Sequence, residues 1–163
     1  MHVDYVDEEI TDYFLDNISD WCSEFPDRSG CMVGECVCTS NLLKNIKDEK
    51  FFSHLNTLKE VVENRRGKKY NYFYVHVVEY SGGEMEKHDH SFGEDYGFLL
   101  YLNTSEDGAT FFVDGEKEVE FLPQKNMMIS YDSELIHGSR VASDKKVLVG
   151  GMREEGLRRP YAS

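Results

Sequence analysis

Apolar residues recur at helical spacing near the start of the chain. Ile10, Phe14, Ile18, Trp21 and Phe25 stand three or four positions apart among acidic residues, which predicts an amphipathic helix over about 8–24. The same period returns in Leu42, Leu43, Ile46, Phe52, Leu55, Leu58 and Val62. It predicts a second helix over about 40–64, with Ser40 as its cap and Gly67 as its stop. The stretch 26–38 between them holds a proline, two glycines and three cysteines, and reads as a loop.

From Tyr70 the pattern changes. Residues 70–80 are almost wholly aromatic and β-branched, and short runs of similar character follow at 98–103, 110–113, 116–122, 126–131 and 146–150. Turn signals separate them: Ser81-Gly82-Gly83, Glu106-Asp107-Gly108 and Asp114-Gly115. Helices first and many short strands after describe an α+β chain whose C-terminal half closes as a sandwich or barrel. We read one domain over 1–163, with a helical, cysteine-containing part at 1–68 and a β-barrel core at 69–155. At 163 residues the chain is long enough to bury a core without disulfides.

Charge narrows the partners. Eighteen basic against 31 acidic residues leave a net charge of −13, which repels phosphate backbones and excludes bulk nucleic-acid binding. No apolar run approaches the roughly 18 residues of a membrane span. The first 27 residues carry nine acids and no Lys or Arg, the reverse of a secretory leader, so a cytoplasmic location is expected. Cys22, Cys31, Cys36 and Cys38 then read as free thiols, since their spacing is no standard zinc pattern. Arg65-Arg66, Lys68-Lys69 and Arg158-Arg159 read as solvated loop faces, and the 70–80 strand as a face of the core sheet.

Three histidines of the β-rich half stand out: His88, His90 and His137. Residues i and i+2 of a strand share a face, so His88 and His90 are placed to grip one ion while Asp89 faces away. His137 follows the apolar pair Leu135-Ile136, and a sheet folded back on itself brings it alongside. Three ligands with further positions open are what catalytic metal chemistry requires.

The order of motifs is distinctive. A glycine turn at 82–83 leads to His88-Asp89-His90, then Tyr101-Leu102-Asn103, Gly108-Ala109-Thr110-Phe111-Phe112, a proline-led apolar run from Pro123 to Tyr131, His137, and Lys146 nine positions on. Over about residues 70–152 this resembles the iron(II)/2-oxoglutarate oxygenases, specifically their prolyl-4-hydroxylase-like branch. The resemblance implies a double-stranded β-helix (a jelly-roll or cupin-like barrel) with N-terminal helices packed on it. It implies iron(II), 2-oxoglutarate and O2 as cofactors, and hydroxylation of a C–H bond in a peptide side chain or small molecule. His88 and His137 match the family's iron-binding imidazoles. Lys146 matches the basic residue that pairs with the distal carboxylate of 2-oxoglutarate, and Tyr101 a tyrosine that hydrogen-bonds this co-substrate.

At position 90 the family pattern has a carboxylate and this chain has His90. His90 itself is the preferred third ligand. Asp89 serves instead if the strand is bulged, and Glu94 or Asp95 if the next loop reaches in. The His-Asp-His run also resembles the metal motif of three-histidine cupin thiol dioxygenases. Gly82-x5-His88-x-His90-x3-Glu94 matches the first cupin motif up to its Glu, with Tyr101 where a glycine is expected. A barrel that only binds metal is the non-catalytic alternative.

Overall fold

The computed structural model describes residues 1–28, 30–91 and 93–157, so the Arg158-Arg159 pair lies outside the described residues. The chain runs through β1 (His2–Tyr5), α1 (Glu8–Glu24), three short strands β2 (Pro26–Asp27), β3 (Met32–Val33) and β4 (Cys36–Thr39), a 3-10 turn (Leu42–Lys44) and α2 (Glu49–Arg66). Eight strands follow: β5 (Tyr70–Tyr80), β6 (Gly83–His88), β7 (Tyr96–Tyr101), β8 (Thr110–Asp114), β9 (Lys117–Phe121), β10 (Met127–Asp132), β11 (Ile136–Ala142) and β12 (Lys145–Glu154).

The first helix falls where its period placed it. The second is shorter than the period suggested. Asn41 accepts Leu43 N–H through Oδ1 to start a separate 3-10 turn, and Asp48, not Ser40, caps α2 by accepting Lys50 N–H at 3.1 Å. Asn and Asp side chains compete for nearby backbone donors, which breaks an otherwise continuous apolar period. Gly67 ends α2 with φ 65°, its N–H bonding Glu63 C=O. A Cβ at Gly67 would meet nothing within 4 Å. Gly67→Ala is therefore expected to cost only the left-handed backbone term, about 1 kcal/mol in urea unfolding.

The stretch 26–38 is not a plain loop, and the first 68 residues are not helical throughout. The short strands there extend both sheets, because their alternating buried residues (Met32, Cys36, Cys38) continue the inter-sheet core. All pairings are antiparallel. Seven strands run β1-β10-β7-β12-β5-β4-β2, and five run β3-β6-β11-β8-β9. One core lies between the sheets, with Leu99, Ile129 and Val147 meeting Phe112. A second lies between the larger sheet and the helices. There Phe14, Ile18 and Trp21 of α1 and Phe51, Leu55 and Leu58 of α2 cover Val75, Val77, Phe98 and Leu148. Each of these fully buried side chains is worth roughly 1.5–3 kcal/mol. Among the described residues no helix is long and apolar enough to cross a membrane.

A bulge decides what faces the inter-sheet space. Along β12, Gly151 pairs Tyr74 but the next residue, Met152, pairs Tyr72, leaving Phe73 as the extra residue of β5. Before the bulge Tyr70 and Tyr72 face the helices; after it Val75 and Val77 do. The bulge thereby turns His76, Val78 and Tyr80 toward the space between the sheets. So one face of the 70–80 strand is core and the other lines a cavity.

Of the described basic runs, Lys68-Lys69 is exposed in the loop after α2, as expected, whereas Arg65-Arg66 is not a loop face. Arg65 and Arg66 form the last turn of α2, where Arg65 pairs Asp4 at 2.8 Å and the Arg66 guanidinium lies 4.4 Å from the Tyr96 ring centre. Lys68 pairs Glu154 and Lys69 pairs Glu63.

Candidate metal centre

Two strands without apolar alternation, β6 and β11, bring the first two histidines together. His88 and His137 are direct cross-strand partners, which sets their Cβ atoms roughly 4.5–5.5 Å apart. His90 lies just past the end of β6, so it is not strand alternation that aims it. Its N–H bonds Ser133 C=O at 2.9 Å. Ring centres lie 4.8 Å apart for His88–His90, 4.5 Å for His88–His137 and 5.1 Å for His90–His137. One ligand atom from each ring lies within 4.8 Å of the others. Small ring rotations close that spread to the distances one cation imposes with N–metal bonds of about 2.1 Å.

The hydrogen bonds show which nitrogens carry the protons, and the Tyr131 hydroxyl lies 3.5 Å from His137 Nε2. His88 Nδ1 donates to Glu86 C=O at 2.7 Å and His137 Nδ1 to Leu135 C=O at 3.0 Å. His90 Nδ1 lies 3.3 Å from Glu94 Oε1. With an acceptor behind each Nδ1, the proton sits there and each Nε2 keeps its lone pair, the arrangement of metal-binding imidazoles. Burial lowers His90 to a pKa of about 4 and His137 to about 3, with the neighbouring His88 adding to both shifts. Both are neutral, and so ligand-competent, at ordinary pH.

The competing carboxylates stand elsewhere. Asp89 is exposed and accepts from Ser91. Asp95 accepts Glu154 N–H at 2.6 Å. Glu94 is 4% exposed and stands behind His90, and burial raises its carboxyl to a pKa of about 8.

A cation occupies the same inter-sheet space, and it is not Lys146. Alternation along β12 sends Lys145, Val147 and Val149 inward, while Lys146 turns outward to pair exposed Asp144 at 2.5 Å. Lys145 is 1% exposed. Its Nζ donates to Ser139 Oγ at 2.8 Å and Thr110 Oγ1 at 3.1 Å, and lies 5.1 Å from the Tyr80 ring centre. Among the described residues no carboxylate pairs with it. Burial lowers its pKa to about 7. Tyr101 is fully buried behind this group and donates to Thr110 Oγ1 at 2.6 Å, so it reaches the lysine through Thr110 and does not line the cavity.

The three histidines and Lys145 line one cavity of about 120 Å³, walled by Val78, Leu99, Val147 and Val149. That is room for a small organic molecule. His76 and Cys38 also line it, and sequence reasoning passed over both. The signal for His76 was its even-numbered register with Val78 and Tyr80, which the bulge alone makes meaningful. No disulfide joins the cysteines among the described residues; burial raises Cys22 to about 11 and Cys38 to about 12, which leaves these two protonated and poor metal ligands.

No protein-family model and no curated protein matches the sequence. Solved structures do match the fold. A prolyl hydroxylase from Trichoplax adhaerens, in complex with a hypoxia-inducible factor oxygen degradation domain peptide, superposes at TM-score 0.77 with 11% identity, covering 99% of this chain and 87% of that one. A Pseudomonas putida prolyl-4-hydroxylase gives 0.73 with 14% identity over 95% and 92% of the two chains. HygX from Streptomyces hygroscopicus, solved with nickel and 2-oxoglutarate bound, gives 0.72 with 11% identity over 95% and 83%. The fold is the jelly roll of these 2-oxoglutarate oxygenases.

Proposed function

We propose that this chain is an iron(II)/2-oxoglutarate-dependent oxygenase that hydroxylates a C–H bond in a peptide side chain or small molecule. One observation carries the reading: three clustered imidazoles, each with its Nδ1 against an acceptor, and a buried ammonium with no carboxylate partner among the described residues line the same cavity. An isolated buried charge is costly until a counter-ion arrives. Ser139, which holds Lys145, is two residues beyond His137 on β11, a step of roughly 7 Å. That is the scale of an extended five-carbon dicarboxylate reaching from the histidines to the lysine.

Each residue then has a role. His88, His90 and His137 would hold iron(II) through their imidazole nitrogens. Bound iron(II) supplies the redox chemistry that couples oxidative decarboxylation of 2-oxoglutarate by O2 to C–H hydroxylation. Lys145, not Lys146, binds the distal carboxylate, with Thr110 and Ser139 fixing the ammonium and Tyr101 fixing Thr110. The valine and leucine walls exclude water around the reacting groups. The peptide held by the Trichoplax neighbour supports a peptide as one substrate class. The thiol-dioxygenase alternative is not favoured, since the similar structures are 2-oxoglutarate enzymes.

The test is to load the protein anaerobically with iron(II), titrate 2-oxoglutarate, then admit O2 and measure succinate. Binding and slow iron-dependent succinate release are expected. Failure of the iron-loaded protein to bind 2-oxoglutarate overturns the reading.

Lys145 also sets a pH dependence. Burial lowers its pKa to about 7 in the empty cavity, and only its charged form pairs with a carboxylate. Affinity for 2-oxoglutarate is therefore full below pH 7 and falls as pH rises, by up to about tenfold per unit until the pKa of the bound state is passed. Titrations between pH 6 and 9 should show the fall. Lys145→Arg should flatten it, because a guanidinium stays charged throughout.

A further inference from the structure

We propose that Glu94 is the outer carboxyl group of the metal centre, accepting from His90 Nδ1 and so holding that ring in its ligating orientation. The inference rests on the three-histidine reading above and adds a residue to it. Glu94 Oε1 lies 3.3 Å from His90 Nδ1, whereas His88 and His137 are backed only by backbone carbonyls. Among the described residues no Lys or Arg pairs with Glu94, so the cation it would face is the one that His90 binds.

The space for this carboxylate is built into the sheet. Gly97 on β7 and Gly151 on β12 are register partners. A Cβ at Gly97 would lie 2.9 Å from Glu94 Oε2, and one at Gly151 would lie 2.8 Å from it and 2.2 Å from the Tyr74 ring. Two facing glycines thus leave a slot that the carboxylate fills. Oε2 is buried there with no hydrogen-bond partner. The Tyr74 hydroxyl faces the carboxyl and lies 3.5 Å from His90 Nδ1.

The backbone is clamped as well. Ser133 accepts His90 N–H, donates its own N–H to Asp95 C=O and donates Oγ to Glu94 C=O at 2.8 Å. Arg153 Nε donates to Gly93 C=O at 2.6 Å, while its guanidinium stacks on Phe73, the bulge residue. These bonds hold a carboxylate one residue's reach behind a ligand, the position from which outer partners orient imidazoles and raise their basicity.

The experiment measures cobalt(II) binding and its visible spectrum in the whole protein. Glu94→Gln keeps the shape and removes the ionisable carboxyl. It should weaken cobalt(II) binding about 10–100-fold and shift the ligand-field bands, with no loss of thermal stability in the metal-free protein. On a His90→Ala background, Glu94→Gln should change cobalt(II) affinity no further, because it acts through that ring. Gly97→Ala, which crowds the slot while keeping the glutamate, should weaken binding in the same direction. Glu94→Gln with wild-type affinity and spectrum, while His90→Ala loses affinity, overturns this inference and leaves the three-histidine reading standing. Unchanged affinity in His90→Ala, or no cobalt(II) binding by the wild type, overturns both.

Discussion

Lys145→Met is expected to weaken 2-oxoglutarate binding by about 30-fold to several thousand-fold, or 2–5 kcal/mol, while metal affinity is unchanged. The magnitude follows from burial. A carboxylate drawn into this cavity leaves water, and without the ammonium it has two hydroxyls and no counter-charge. Methionine roughly fills the lysine stem's volume, so the loss reports charge and not a hole. The metal-free variant should be at least as stable as the wild type near neutral pH, since it no longer buries a cation with no carboxylate beside it. Lys146→Ala is the matched control. Its ammonium pairs exposed Asp144, an interaction worth about 0–1 kcal/mol, and 2-oxoglutarate affinity should stay within about twofold. Calorimetric titration of the metal-loaded protein reads both; a loss in Lys146→Ala and none in Lys145→Met reverses the assignment.

His137→Ala should abolish metal binding at stoichiometric concentrations, a loss beyond the roughly 100-fold that removal of an outer partner costs. His137 is 6% exposed, pairs His88 across the strands, and lies tilted against Tyr131 and Phe112 with ring centres 4.8 Å and 5.8 Å away. Removing it takes one ligand and frees the ring opposite. Because the truncation also leaves a cavity, unfolding has to be separated from loss of the site. The measurement is the rise in melting temperature on adding metal, which follows mass action. A large rise is expected for the wild type and none for the variant, whose metal-free melting temperature falls but whose circular dichroism stays native. A metal-induced rise equal to that of the wild type removes His137 from the centre.

Long periodic elements were legible without coordinates. The 8–24 helix and the 70–80 strand end where their patterns end, because burial against a neighbouring layer imposes the period on the residues themselves. The pair β6 and β11 left a fainter trace. Gly83–His88 and Ile136–Ala142 carry glycines, charges and histidines in place of alternating apolar residues, since one end of each lines the candidate centre. There the histidines were the signal and the strands were not.

The lysine shows where local pattern runs out. Both faces of β12 are buried, Leu148 and Met152 under the helices and Val147 and Val149 in the cavity. The run Lys-Lys-Val-Leu-Val therefore has no polar phase, and parity alone does not say which lysine points inward. The choice is made by pairing: register with β5, set by the extra residue at Phe73, assigns one face to each side. His90 is a second case, since it sits beyond the strand and is aimed by Ser133, 43 positions away in the chain.

Residue types, their order and the charge of the chain thus carried the class of fold and the chemistry of three imidazoles, because composition and period are properties of the chain alone. Which cation faces the cavity, which carboxylate backs His90 and which glycines make room for it depend on contacts between segments far apart in sequence. Those contacts exist only once two sheets close on each other.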